Sequence, residues 1–297
     1  MRVTALSTPQ ELVRQLQVLN KQQTDLQRQV SSGSRLNRAS EDPSSASRLW
    51  RQSSETTAEV QYARNRDTVS TRLLASSEAL GSLHDYATRA REIAVRASGV
   101  ATPSEIQAFR SESRALFEQA LLVANSSHDG QRLFAGSATE ADPFQVARNA
   151  SGLPETVTYQ GAASSPEVEI AQGVRVGTLN PVASNQGIGS FLQDLANLAR
   201  ALDAGDKTAV ASLQPGLAMA EDSLVDAQGE HGAKLQRLEA LEAQAKTRQV
   251  AVEEETEKLN GVDLAEVITK LEQSRSIYQA ALQSGARLMD RSLIDYI

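Results

Sequence analysis

The chain of 297 residues contains no cysteine, which excludes disulfides, thiolate metal sites and a cysteine nucleophile together. Aromatic residues are scarce at 4%. Since such side chains bring much of the area buried in a compact core, their scarcity points away from a dense globular enzyme. The three histidines, His84, His128 and His231, stand far apart, and no constellation of metal ligands or catalytic groups is visible. No catalytic site, metal or cofactor is expected, and the chain is not read as an enzyme. No apolar run is long enough for a signal peptide or a bilayer span. On its face this indicates the cytoplasm, unless the protein leaves the cell by a route that needs no cleaved signal. A net charge of −7 supplies no concentrated basic face of the kind nucleic acids require. What is abundant is Ala, Leu, Ser, Gln, Glu and Arg, with only 8 Pro, a composition of long helices with thin apolar seams.

Helix starts are legible. Thr8-Pro9-Gln10-Glu11 offers an N-cap, a proline at the first helical position and a capping glutamate, and Thr102-Pro103-Ser104-Glu105 repeats the arrangement. Asp42-Pro43 and Asp263-Leu264-Ala265-Glu266 supply two further caps. These starts predict helices over roughly 9–31, 43–98, 103–128, 188–203, 216–258 and 263–294. Pro215-Gly216 breaks off a short helix at 207–213.

The first helix carries Leu12, Leu16, Leu19, Leu26 and Val30, with Gln23 at the remaining seam position. Steps of four and three make this a heptad seam. On the last helix Leu264, Ile268, Leu271, Tyr278, Leu282 and Met289 fall on one line, with Val267, Ile277, Leu288 and Leu293 beside it. The two seams are expected to pair as a coiled coil. At about 1.5 Å per residue the 43–98 helix would run roughly 80 Å, against ~50 Å for the diameter of a compact globule of this length. An elongated rod of long antiparallel helices follows. Residues 131–187 interrupt it with the short alternating runs Thr156–Tyr159, Val168–Ile170 and Val174–Val176, set apart by Gly, Ser and Pro. These read as antiparallel strands of a small inserted β subdomain. The fold class is mainly α. The expected parts are 1–42 with 259–297 as a terminal coiled-coil assembly core, 43–130 with 188–258 as a helical rod, and 131–187 as the β-rich subdomain.

Three places resemble a known family. Ser31-Ser32-Gly33-Ser34-Arg35-Leu36-Asn37-Arg38-Ala39-Ser40-Glu41-Asp42-Pro43 resembles the signature that follows the first helix of bacterial flagellins, with Ser34 where filament flagellins often have Leu. Ile277-Tyr278-Gln279-Ala280-Ala281 through Leu293-Ile294-Asp295-Tyr296-Ile297 is similar to the flagellin-like C-terminal helix. His128-Asp129-Gly130-Gln131-Arg132-Leu133-Phe134-Ala135-Gly136, Asp142-Pro143-Phe144, Tyr159-Gln160-Gly161 and the run from Gln228 to Glu239 are similar to the hook-associated branch of that superfamily.

The resemblance implies a structural subunit of the bacterial flagellum, forming the junction between hook and filament by axial self-assembly through its terminal helices. It implies as partners further copies in a ring, another hook-associated protein on the hook side and flagellin on the filament side. An export chaperone on the C-terminal helix is implied too, with an extracellular location reached without a cleaved signal peptide. No nucleic acid or membrane partner is implied. The assembly interface then comprises Leu12, Leu16, Leu19, Leu26, Val30, Ser32, Gly33, Arg35, Asn37, Asp42, Leu264, Ile268, Leu271, Tyr278, Leu282, Leu288, Met289 and Leu293. Seams this thin barely offset the conformational entropy of ordering the helices that carry them. Ordering and assembly are therefore expected to be one event, as the resemblance also implies. Residues 1–40 hold six basic side chains against Glu11 and Asp25, and residues 263–297 four basic against five acidic, a modest complementarity.

Other readings compete. A filament flagellin of the same superfamily fits the terminal signatures. A cytoplasmic helical signalling or scaffold bundle fits the long seams but neither the β insertion nor the signatures. His128-Asp129 reads as helix-end capping rather than a catalytic dyad, Glu253-Glu254-Glu255 as a solvated helix face, and Trp50 as a packing residue.

Overall fold

The computed structural model describes residues 7–138, 140–162, 167–177 and 180–294. The chain is mainly helical: α1 (Ser7–Ser32), α2 (Pro43–Ser98) and α3 (Pro103–Ala124) precede the strands, and α4 (Val182–Ala204), α5 (Lys207–Ser212), α6 (Gln214–Asn260) and α7 (Leu264–Ile294) follow them. The strands are β1 (Ser127–His128), β2 (Gln131–Arg132), β3 (Phe144–Arg148), β4 (Pro154–Tyr159), β5 (Glu167–Ala171) and β6 (Val174–Gly177). They form three separate antiparallel pairs, β1 with β2, β3 with β4 and β5 with β6.

The caps sit where the sequence places them. Thr102 and Glu105 close a reciprocal capping box at the start of α3. The Ser45 N–H donates to Asp42 Oδ1 at 3.1 Å, and the Ala265 and Glu266 N–H groups donate to Asp263 Oδ1 at 2.9 and 3.1 Å. The Thr8 side chain lies outside the described residues, and α1 begins at Ser7. The chain leaves α1 through Gly33, whose φ of +65° no β-carbon opposes.

Packing groups the chain into two compact units, one holding the chain up to Ala58 and from Lys246 on, the other Glu59–Ala245. In the second unit, Leu80, Leu83 and Ile93 of α2, Phe109 and Phe117 of α3, Ile188, Phe191 and Leu195 of α4, and Leu217 and Leu224 of α6 share one core. The expected β subdomain does not stand apart from that core. Phe134 and Phe144 are buried in it. The β5–β6 pair instead joins a second cluster, Ile170 and Val176 packing with Val69, Leu73 and Leu238.

The residues that resembled the hook-associated branch do the docking. Asn125 brackets the Phe144 backbone, its Nδ2 donating to the carbonyl at 2.9 Å and its Oδ1 accepting the N–H at 3.0 Å. The Tyr159 hydroxyl donates to the Phe134 carbonyl at 3.0 Å, and its ring centroid lies 5.3 Å from that of Phe144. Arg132 pairs with Asp142. His128-Asp129 is not a helix end. α3 stops at Ala124, and Asp129 and Gly130, both at positive φ, form the two-residue turn of the β1–β2 hairpin.

Candidate assembly interface

The unit that holds both chain ends is built on α1 and α7, which pair antiparallel, since the space a β-carbon on Gly285 would take is filled by Leu12 while Ser34 bridges to Gly261. On α1 the half-buried side is Leu12, Leu16, Leu19, Gln23, Leu26 and Val30, the heptad line the sequence predicts. On α7 the inward line is different. Val267, Leu271 and Ser274 are buried, Tyr278 and Ala281 half-buried and Gly285 buried. This too is a heptad, but turned round the helix from the expected one. Leu264, Ile268 and Leu282, expected in the seam, are instead 46%, 47% and 45% exposed. The two heptads share Leu271, Tyr278 and position 285, so the sequence offers both. The small side chains Ser274, Ala281 and Gly285 let α1 approach on one of them, and Leu12 seats against Gly285. Counting hydrophobic residues favours the bulkier line, which is why Ser274, Ala281 and Gly285 were missed. The side chains of Leu288, Met289 and Leu293 lie outside the described residues.

The register from Leu12–Gly285 to Ser34–Gly261 brings Gln23 level with Ser274. Gln23 Nε2 and Ser274 Oγ are both buried without a hydrogen-bond partner, a polar layer in the middle of an apolar seam. Beside it, Val13, Leu16, Gln17, Asn20, Lys21 and Tyr278 line an open groove of about 370 Å³. Val13 and Val18 are 50% and 61% exposed.

The loop between α1 and α2 is a polar clasp on the α6–α7 corner. Arg35 donates from its N–H to the Asn260 carbonyl at 2.8 Å and from Nη2 to the Leu259 carbonyl at 2.8 Å. The Leu36 N–H donates to Asn260 Oδ1 at 2.8 Å. Glu41 Oε2 accepts the Asn37 N–H at 3.0 Å, and this bond foremost holds its carboxyl below the usual range. Asp42 is held lower still by the Ser45 hydroxyl and N–H and the Ser44 hydroxyl, with Arg35 3.6 Å away. Ser32, Gly33 and Asn37 are exposed. Of the predicted loop residues, Arg35, Asp42 and, through its N–H, Asn37 take part in the clasp, while Ser32 and Gly33 leave surface free. Asn260 and Glu41 are equal members of the clasp that the sequence reading did not single out.

Among the described residues no cluster of three or more His, Asp or Glu could hold a metal ion, and no helix is long and apolar enough to cross a membrane.

Residues 5–139 match the bacterial flagellin N-terminal helical region. The fold is similar to that of a flagellar hook-associated protein from Vibrio parahaemolyticus described as putative, at 18% identity and a TM-score of 0.65, over 74% of this chain and 100% of that one. It is similar to FlgL of Bacillus cereus, at 19% identity and a TM-score of 0.61, over 70% and 99% of the two chains. The flagellar junction protein FlgL from Legionella pneumophila matches at 13% identity and a TM-score of 0.53, over 72% and 100%. The chain has the fold of hook-associated protein 3. Among curated protein sequences none matches. The resemblance drawn from residues 31–43 falls within the 5–139 match to the bacterial flagellin N-terminal helical region and is borne out there.

Proposed function

We propose that this chain is the subunit of the hook–filament junction, assembled in a ring of its own copies through α1 and α7. The observation that carries the reading is the apolar line Leu264, Ile268 and Leu282, nearly half exposed on a helix already paired through its other heptad. A helix with two adjacent seams, one filled within the chain and one open, is suited to take a further helix in the assembled tube. The exposed Ser32–Asn37 surface would extend that contact, the clasp holding it in one conformation. On this reading another hook-associated protein adjoins on the hook side and flagellin on the filament side. The chain leaves the cell uncleaved through the flagellar export apparatus. A cytoplasmic chaperone covers the apolar face of α7 until then, in the way a groove takes an amphipathic helix.

Complementation tests this. In cells lacking the native copy, residues 43–258 alone should leave hooks without filaments and flagellin spilled into the medium, while the full chain restores swimming. A fragment that restores swimming would refute the role of the ends. In a salting-out buffer the purified full chain should form no long filaments, whereas a filament flagellin would.

A further inference from the structure

The chain has one tryptophan, and it is not the packing residue the sequence suggested. Trp50 is 68% exposed on the first turns of α2. Ser45 and Ala46 are buried there and Leu49 and Gln52 half-buried, so the helix turns that side inward and leaves Trp50 and Arg51 on its outer half. The end of α6 runs alongside, Thr256 Oγ1 donating to Gln52 Oε1 at 3.2 Å and Arg248 Nη2 reaching Glu55 at 3.4 Å. On this part of α6 the half-buried residues are Val252, Thr256 and Leu259. Val250, Glu254 and Glu257, spaced to share one face, point the other way, and Val250 is 55% exposed. Among the described residues Arg48 and Arg51 have no acidic partner, and Glu254 has only an exposed pair with Lys258 at 3.8 Å. One two-helix segment therefore carries an aromatic and cationic surface on α2 and, on the outer side of α6, an aliphatic and acidic one.

We propose that Trp50, with Arg51 beside it on the outer half of α2, packs on the Val250–Glu254–Glu257 face of a second copy of this chain. The inference rests on the junction reading and names a contact that reading does not contain, outside the terminal helices. Unlike surfaces on different sides of one segment match head to tail, the geometry that closes into a ring. Charge complementarity favours this occupant and sets the register, while the tryptophan supplies the anchor, as tryptophan and arginine do at the centres of protein interfaces.

Photocross-linking tests it in the full chain. With a benzoylphenylalanine in place of Trp50, expressed in cells lacking the native copy, irradiation of intact flagella should give a covalent dimer of this chain. Its linked peptide should fall within 247–258. A cross-link to flagellin or a hook protein, or none while immunoblotting finds the chain in the flagella, overturns the proposal and leaves the junction reading standing. A chain absent from flagella removes both. Charge exchange gives a second readout. Arg51→Glu should lower incorporation severalfold, and adding Glu254→Arg and Glu257→Arg should restore it. Failure to restore incorporation, with all variants melting like the native chain, also overturns the contact.

Discussion

All five phenylalanines of the chain lie in the unit spanning 59–245, and all five are buried. The unit holding the chain ends has none. Among its described residues the buried apolar side chains are Ala46, Val267 and Leu271, and its tryptophan faces solvent. The first unit of this comparison buries an aromatic core shared by five helices and the β3–β4 pair. The other forms one heptad and leaves a second open. A unit with an aromatic core of its own is a folded body, whereas one with so few buried apolar side chains has more to gain from further contacts, which on the proposed junction reading come from further subunits.

That contrast is best broken in the core. Phe117→Ala, at a fully buried site, should destabilise the chain by about 3–5 kcal/mol and lower the main thermal transition. A shift no larger than that of a surface substitution would mean the aromatic core is not what holds this unit.

Acid probes the same unit by a different force. His231 is 1% exposed on α6 with neither ring nitrogen hydrogen-bonded. Burial, aided by the Lys234 ammonium on the same helix, pushes it down to about 4 from 6.5, while the nearby Leu73 carbonyl acts the other way. The folded state keeps the ring neutral, so between those values the unfolded chain binds more protons. The associated stability is complete above about pH 6.5, declines as the pH falls and is lost below about pH 4, with a total of about 3 kcal/mol. Denaturant titrations at pH 7.5 and 4.5 should show this fall, and His231→Phe should remove most of it. An unchanged pH dependence in the variant would place the acid sensitivity elsewhere.

In the thinner unit the effects are smaller. Leu271→Ala should cost about 2 kcal/mol, because its partners on α1 are only half-buried and partly relax into the gap. The loss should appear as hydrogen exchange in α1 and α7, with the amides of α3 and α4 unchanged. Equal exposure across both units would erase the distinction. Gln23→Leu with Ser274→Ala should stabilise the same pair by about 1 kcal/mol, since it replaces a polar layer that has no satisfied partners. A destabilisation of similar size would show that the layer is bonded through water and fixes the register.

How far the sequence could be read follows from the same contrast. Helix positions were legible because their starts are marked by side chains with one job, Thr102, Asp42 and Asp263. The heptad of α1 was legible because only one line of large apolar residues runs along it. The heptad of α7 was not. Two lines overlap, and the inward one is decided by how closely α1 can approach Gly285 and Ala281, a property of the partner and not of α7. Strand β3 was missed because Phe144 and Val146 alternate over too short a span, and what holds them is Asn125 and Tyr159, distant in sequence. Trp50 was misjudged because a large aromatic residue is usually buried, and only the neighbouring turns show which side of α2 faces inward.

The central claim is that the filled heptad of α7 serves the chain and the open one serves assembly. Ile268→Asp with Leu282→Asp places two charges on the open line, where water still solvates them in the single chain. The direct measurement is incorporation of this variant into flagella, read against its thermal melting and helical circular dichroism as a purified chain. The account predicts melting and helix content like those of the native chain, and no incorporation. Normal incorporation, or a loss of helix in the purified variant comparable with that of Leu271→Asp, would contradict it.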